Sequence, residues 1–301
     1  MQPRSSTHPD RPPASRLGRV ATLTKLALAG AVAAGSIAAA SPGQAAANPF
    51  ERGPAPTQQS IERDGPYQVD TYATGSGLPG FAGGRIYAPR TTTGETFGAV
   101  AIVPGFVSSW ESMQWIGPRL ASHGFVVIGI DTITPVDLPT ERGQQVDAGL
   151  RFLLNFPQTR SRVDPTRTAI GGWSMGGGGS LQHARNRSDY KAVVAFAPWN
   201  LEVKNMSAVR VPALIIGDQF DELAPNAEHA QPFYDTISAE KAFVSIAWTD
   251  HFYVWNPNRI QGSMTLSWLK RYVDGDTRYT PFLCPGPRGL DVQSYVASCP
   301  M

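Results

Sequence analysis

The sequence predicts an α/β fold, in which a doubly wound, mostly parallel central sheet is flanked by helices. Short and almost continuously apolar runs recur along the chain, and amphipathic stretches separate them. Such runs are typical of strands covered on both faces, and strands that alternate with helices predict a parallel sheet. No internal repeat or linker divides residues 48–301, so we expect one domain there.

The predicted elements follow one another in a regular order. The first two strands, 67–73 and 85–88, alternate apolar and polar residues, and we expect them to form an antiparallel entry to the sheet. The other predicted strands are 99–103, 125–130, 168–171, 192–196, 213–216 and 243–248. The predicted helices are 113–122, 141–156, 175–185, 228–238 and 259–272.

One connection between buried strands is short. Only 13 residues, from Trp199 to Val211, separate two of these strands, which is too few to build a helical cap. We therefore expect no cap domain and an open site at this edge of the sheet.

The first 47 residues have the pattern of a secretory signal peptide. Five basic residues precede an apolar run over 26–40, and an Ala-x-Ala sequence ends at Ala47. The 15-residue run is too short to cross about 30 Å of hydrocarbon as a helix. We expect a secreted, extracellular protein with no membrane attachment after cleavage; a retained anchor is the alternative.

The charge of the remaining chain is nearly balanced. The leader holds five of the 26 Lys and Arg residues and one of the 24 Asp and Glu residues, which leaves 21 basic and 23 acidic residues and a net charge of −2. Because nucleic-acid binding needs a basic surface, we expect no such partner. We also expect no cofactor and no metal, and a monomer whose partner is its substrate.

The chain has two cysteines, Cys284 and Cys299. In a secreted protein this even count predicts a disulfide that fixes the C-terminal segment. A metal site or a catalytic thiol is the alternative, but no histidine lies near either cysteine in the sequence.

A glycine-rich segment carries the candidate nucleophile. Residues 172–176 read G-W-S-M-G and match G-x-S-x-G, with a predicted strand before Ser174 and a predicted helix after it. This strand–turn–helix context is the nucleophile elbow of α/β-hydrolases. Glycines on either side of the serine let the strand and the helix pass closely. The alternative is a turn serine in a flexible bend.

A serine nucleophile needs a base and an acid, which follow in the order Ser, Asp or Glu, His in α/β-hydrolases. His251 follows the last predicted strand, whereas His229 lies in a predicted helix and is expected to face the surface. We therefore predict His251 as the base. Asp221 is the predicted acid because it lies deeper in its loop than Asp218, which remains the alternative.

The oxyanion of an acyl-transfer intermediate needs two backbone donors. The residue after the nucleophile, Met175, supplies one. The second is expected from the loop after strand 99–103, where Phe106 is the candidate.

The chain resembles the secreted actinobacterial cutinases and poly(ethylene terephthalate) hydrolases over nearly all of residues 48–301. The matching segments include "AIVPGF", "GGWSMGGGGS", "APWN", "DELAP" and "WLKRYVDGDTRYTPFLCPGPR". The resemblance implies an α/β-hydrolase fold that hydrolyses polyesters and short-chain esters. It implies a catalytic triad of Ser174, Asp221 and His251, and an oxyanion hole formed by Phe106 and Met175.

Aromatic and aliphatic residues beside these positions are expected to bind the substrate. The set is Phe106, Trp173, Trp199 and Phe252, with Trp173 as a groove wall that faces Trp199; the resemblance adds Leu223 as an aliphatic wall. The segment after His251 is bulkier than in most relatives, which affects the expected groove width. Two other hypotheses are a general carboxylesterase or triacylglycerol lipase acting on soluble esters, and a non-catalytic binding protein on this fold.

Overall fold

The computed structural model describes residues 48–301, so the predicted signal peptide, residues 1–47, lies outside the described residues. The strands are β1 (Val69–Ala73), β2 (Gly83–Pro89), β3 (Phe97–Val103), β4 (Phe125–Asp131), β5 (Val163–Trp173), β6 (Ala192–Phe196), β7 (Ala213–Asp218), β8 (Lys241–Ile246) and β9 (Val292–Ala297). The helices are α1 (Gln58–Ile61), α2 (Ile116–Ser122), α3 (Pro139–Asn155), α4 (Met175–Ala184), α5 (Ala230–Thr236), α6 (Arg259–Tyr272) and α7 (Thr280–Leu283).

The strands form one sheet in the order β1-β2-β4-β3-β5-β6-β7-β8-β9. The six strands from β4 to β8 in this order are parallel. At one edge β1 and β2 pair antiparallel, and β2 also pairs antiparallel with β4. This arrangement confirms the predicted fold class and its antiparallel entry. The antiparallel strand β9, which covers the other edge beside β8, was not predicted.

The sheet separates two apolar layers because successive residues of a strand point to opposite faces. On β3, Val100 and Ile102 pack into the layer that holds residues of α2 and α6. Ala99 and Ala101 pack into the layer that holds residues of α3, α4 and α5. The continuous apolar runs of the sequence therefore belong to strands with helices on both faces, as predicted.

The parallel strands end together at one edge of the sheet, which is where sites form in such folds. Phe106 follows β3, Ser174 follows β5, Asp221 follows β7 and His251 follows β8. Between β6 and β7, residues 197–212 contain no helix or strand, in agreement with the predicted absence of a cap.

The C-terminal segment is held by the predicted disulfide. Cys284, directly after α7, is bonded to Cys299, which lies just beyond β9. The bond therefore fixes the unpredicted edge strand to the body of the domain. Among residues 48–301, no helix is long and apolar enough to cross a membrane.

Candidate active site

Ser174 occupies a sharp turn between β5 and α4. Its backbone has φ 57° and ψ −123°, in the left-handed half of conformational space. Such a φ strains a residue that has a side chain, and strain of this kind concentrates at functional sites. The turn has the strand-to-helix arrangement that the G-x-S-x-G motif predicts.

Glycines let three backbones meet at this turn. A Cβ atom on Gly172 would lie 2.5 Å from the carbonyl carbon of Gly176. A Cβ atom on Gly176 would lie 2.5 Å from the main-chain oxygen of Val103 at the end of β3. Side chains at these positions would push α4 away from the strands. The other glycines of α4 also lie against backbone: a Cβ atom on Gly178 would collide with the main-chain oxygen of Trp199.

The structure brings Ser174, His251 and Asp221 into one hydrogen-bonded relay. His251 Nε2 lies 2.9 Å from Ser174 Oγ, and His251 Nδ1 lies 2.7 Å from Asp221 Oδ2. An ionised carboxylate only accepts hydrogen bonds, so Nδ1 carries the proton and Nε2 is free to accept from the serine hydroxyl. All three residues are buried, at 5–7% exposure. This is the geometry that a serine nucleophile requires.

The backbone of its own loop holds the acid in place. Asp221 Oδ1 accepts hydrogen bonds from the N–H groups of Leu223 at 2.9 Å and Ala224 at 2.7 Å. The other oxygen is therefore presented to His251. Because both carboxylate oxygens are bonded, the ring of His251 is fixed in one tautomer and one orientation.

Asp218, the alternative acid, is buried and its side chain faces Thr249 instead of His251. It is 1% exposed and accepts a hydrogen bond from Thr249 Oγ1 at 2.7 Å. Its second oxygen, Oδ2, has no partner among the described residues. Burial, with the nearby carboxylates of Asp221 and Asp250, raises the pKa of Asp218 to about 7. The structure therefore joins His251 to Asp221 and not to Asp218.

His229, the alternative base, is not at the surface as the sequence suggested. It is 1% exposed, and its Nδ1 accepts hydrogen bonds from Asn200 N–H at 3.2 Å and Lys204 Nζ at 3.0 Å. Its ring stacks on Trp199 at 5.7 Å. Burial lowers the pKa of His229 to about 4, so the ring is neutral near pH 7. His229 thus packs inside the domain against Trp199, which is half-buried.

The loop after β3 passes directly against the serine. A Cβ atom on Gly105 would lie 2.8 Å from Ser174 Cβ, and the backbone N–H of Phe106 follows in the chain. Among residues 48–301, neither Phe106 N–H nor Met175 N–H has a hydrogen-bond acceptor. Both predicted oxyanion donors are thus beside Ser174 and available.

Arg142, which was not predicted as a site residue, holds the loop after β3 in place. Arg142 lies on α3, is fully buried, and donates to the main-chain oxygens of Pro104 at 3.0 Å, Pro135 at 2.8 Å and Asp137 at 2.7 Å. Burial lowers its pKa to about 10, so it stays charged near pH 7. The only signal in the sequence was a cation on the apolar side of an amphipathic helix.

Trp173 supports the histidine loop instead of lining an open groove. Its indole is 2% exposed, and Nε1 donates to the main-chain oxygen of His251 at 2.9 Å. Its ring packs 5.1 Å from that of His251 and 6.0 Å from that of Phe252. The expectation that Trp173 forms a groove wall facing Trp199 is therefore corrected, because so little of its surface is open to a ligand.

Three of the other predicted substrate-binding residues form an exposed apolar rim beside the relay, whereas Trp199 is half-buried against the ring of His229. Phe106 is 47% exposed, Leu223 is 56% exposed and Phe252 is 40% exposed. The ring of Phe252 packs at a tilt against that of Trp255, with centroids 4.7 Å apart. Among residues 48–301, no three His, Cys, Asp or Glu side chains are grouped so that they could bind a metal ion.

Comparisons with known proteins agree with this geometry. A family model described as PET hydrolase-like matches residues 44–300. The chain belongs to this family. The match covers the relay and all the loops around it, so the resemblance seen in the sequence is confirmed.

Curated relatives extend the family assignment across almost the whole chain. Cutinase cut1 of Thermobifida fusca is 47% identical, with 97% of this chain and 92% of the relative covered. Cutinase 2 of Thermobifida cellulosilytica is 49% identical over 84% of this chain and 99% of its own length. Bis(hydroxyethyl) terephthalate hydrolase of Streptomyces coelicolor is 46% identical over 85% of this chain and 84% of its own length.

Proposed function

We propose that this protein is a secreted serine hydrolase of carboxylic esters that cleaves cutin-like and synthetic polyesters as well as short-chain esters. The observation that carries the proposal is the Ser174–His251–Asp221 relay at an uncapped edge of the sheet. Residues 48–301 would be the catalytic domain, acting as a monomer after removal of residues 1–47.

The first half of the reaction acylates the enzyme. Ser174 Oγ attacks the ester carbonyl carbon while His251 Nε2 accepts the hydroxyl proton. The N–H groups of Phe106 and Met175 stabilise the negative charge that develops on the carbonyl oxygen; one such donor is worth about 3 kcal/mol of the barrier. The protonated His251 then gives its proton to the leaving alcohol, and an acyl-serine ester remains.

The second half returns the enzyme to its starting state. Water attacks the acyl carbon, and His251 Nε2 accepts a proton from it. The new oxyanion uses the same two donors. Collapse of this intermediate breaks the bond to Ser174 Oγ, which takes the proton back from His251, and the carboxylic acid leaves. Asp221 stabilises the imidazolium in both halves.

The rim favours an extended and uncharged substrate. Phe106, Leu223 and Phe252 are exposed beside the relay, and within residues 48–301 no cap domain limits the length of a bound chain. An apolar surface with few polar groups suits acyl chains and aromatic rings. The relatives are named as cutinases and as a bis(hydroxyethyl) terephthalate hydrolase, which supports polyesters with either kind of acyl unit.

A general esterase or lipase acting on soluble esters is the second candidate. One observation favours it: the rings of Phe252 and Trp255 pack against each other in the segment after His251, and this bulk would narrow the approach of a stiff polymer. This candidate uses the same catalytic residues, so only its substrates distinguish it.

A substrate panel separates the two candidates. Wild type and Ser174→Ala are assayed on p-nitrophenyl butyrate, tributyrin, and films of cutin, an aliphatic polyester and poly(ethylene terephthalate). We expect wild type to release soluble acids from at least one film and Ser174→Ala to release none. Fast turnover of soluble esters with no release from any film would favour the second candidate. Substantial activity of Ser174→Ala would exclude both.

A further inference from the structure

Two aromatic side chains that the mechanism does not use are exposed on the loops of the acid and the base. Phe220, directly before Asp221, is 53% exposed; Trp248, three residues before His251, is 75% exposed. Their rings pack edge to face, with centroids 5.8 Å apart. Each ring still presents much of its surface to water, which is unusual for such large apolar groups.

Hydrogen bonds fix this pair relative to the triad. Phe220 N–H donates to the main-chain oxygen of Thr249 at 2.8 Å. Trp248 N–H donates to Gln219 Oε1 at 2.9 Å. The two loops are therefore joined directly beside the pair. The same loops hold Asp221 and His251, so the exposed rings are connected through the backbone to two residues of the relay.

The backbone of Trp248 is strained. Its φ of 64° lies in the left-handed region, which bulky residues rarely occupy. The other non-glycine residues in residues 48–301 with such a φ are Val107, Ser174 and Ala197, and each follows a strand at the same edge of the sheet. Strained residues persist at ligand-binding and catalytic sites, where their position matters. A glycine would relieve the strain at residue 248 but would remove the ring.

The pair lies on the same two loops as Leu223 and Phe252 of the rim described above. Each loop presents one further exposed apolar residue beyond its catalytic residue, Leu223 on the acid loop and Phe252 on the base loop. Neither loop contains Lys or Arg, and the carboxylates of Glu222 and Asp250 are exposed between the apolar groups. Such a surface disfavours anions, including the carboxylate products of ester hydrolysis, and favours an uncharged apolar chain.

We propose that Phe220 and Trp248 form an accessory site that binds a second segment of the uncharged polyester chain whose scissile ester lies at Ser174. The inference rests on the proposed function. A polymer reaches both places at once, so contact at the aromatic pair raises the local concentration of ester at the serine. A short-chain ester reaches only the serine and gains nothing from the pair.

Adsorption tests the site without interference from hydrolysis. In a Ser174→Ala background, binding isotherms on amorphous poly(ethylene terephthalate) film compare the parent, the double variant Phe220→Ser/Trp248→Asn, and Val296→Thr. Asparagine tolerates a positive φ, so the backbone of the loop is kept. Val296 is a matched control because it is 42% exposed but lies on the edge strand β9. Melting temperatures verify that each variant is folded.

We expect adsorption of the double variant to weaken on the order of tenfold, since each aromatic contact contributes a few-fold, and adsorption of the control to stay unchanged. With Ser174 present, product release from the film should fall relative to p-nitrophenyl butyrate turnover. Equal adsorption of parent and double variant would overturn the proposal. The proposal would also be overturned if the parent were a dimer and the double variant a monomer while both adsorbed equally to the film. The pair would then bind a second copy of the chain.

Failure of the proposed function would look different. An active enzyme that releases no product from any film would contradict polyester hydrolysis, whatever the adsorption isotherms show. Normal film hydrolysis with adsorption that ignores Phe220 and Trp248 would contradict the accessory site alone.

Discussion

Replacing Asp218 with asparagine is expected to stabilise the protein in alkaline solution. Asp218 is 1% exposed, and burial raises its pKa from the ordinary 3.8 to about 7. Between these two pH values the folded protein binds a proton that the unfolded chain has released. The free energy of unfolding therefore falls as the pH rises from about 4 to about 7, and the loss persists above pH 7.

The size of the effect follows from the difference between the pKa of Asp218 in the folded protein, about 7, and its ordinary pKa of 3.8. At 1.36 kcal/mol per pKa unit, the full gap corresponds to about 4 kcal/mol. Between pH 5 and pH 9 the loss is about 3 kcal/mol, because part of the gap is already crossed at pH 5. An asparagine side chain at this position would be neutral throughout, and its Oδ1 would still accept from Thr249 Oγ1. The free energy of unfolding of the variant, relative to that of wild type, should therefore rise by about 3 kcal/mol between pH 5 and pH 9.

Urea unfolding of wild type and Asp218→Asn near pH 5 and near pH 9 measures this difference. Asp250→Asn is the control, because it removes the same charge from an exposed position close by. A stability difference between wild type and Asp218→Asn that is the same at both pH values would refute the reasoning. So would an equal pH effect in Asp250→Asn.

Three further substitutions test other parts of the account. Gly105→Ala places a Cβ atom 2.8 Å from Ser174 Cβ, so kcat on p-nitrophenyl butyrate should fall about a hundredfold with an unchanged circular dichroism spectrum; wild-type kcat would contradict the close approach. Arg142→Lys cannot reach all three carbonyls, and kcat should fall about tenfold with little change in KM; a change confined to KM would show that the loop was not moved. Cys299→Ser should lower the free energy of unfolding by about 3 kcal/mol in urea without changing kcat, and an effect below about 1 kcal/mol would mean that the disulfide adds little constraint.

Much of the fold could be predicted because its signals are local. The predicted helix 259–272 coincides with α6, and every predicted strand corresponds to an observed one. The edge strand β9 was missed because it is half-exposed, with only weak apolar alternation over Val292–Ala297. Its place is set by pairing with β8 and by the disulfide, neither of which a local pattern encodes.

The residues of the relay could be predicted because chain order and loop position determine where they lie. Ser174, Asp221 and His251 follow three different strands of a parallel sheet, so topology alone brings them to one edge. Burial was less predictable: His229 and Trp173 were both expected to be accessible but are packed inside. Each is an aromatic ring whose orientation depends on neighbours far away in the sequence.

Labelling with a fluorophosphonate, followed by mass spectrometry of the peptides, tests the central claim most directly. The reagent bonds covalently to a serine that an adjacent base activates. We expect one label per chain, located on Ser174, loss of ester hydrolysis in proportion to labelling, and no labelling of His251→Ala. A label on another residue, or an unlabelled wild type that still hydrolyses esters, would contradict the relay of Ser174, His251 and Asp221.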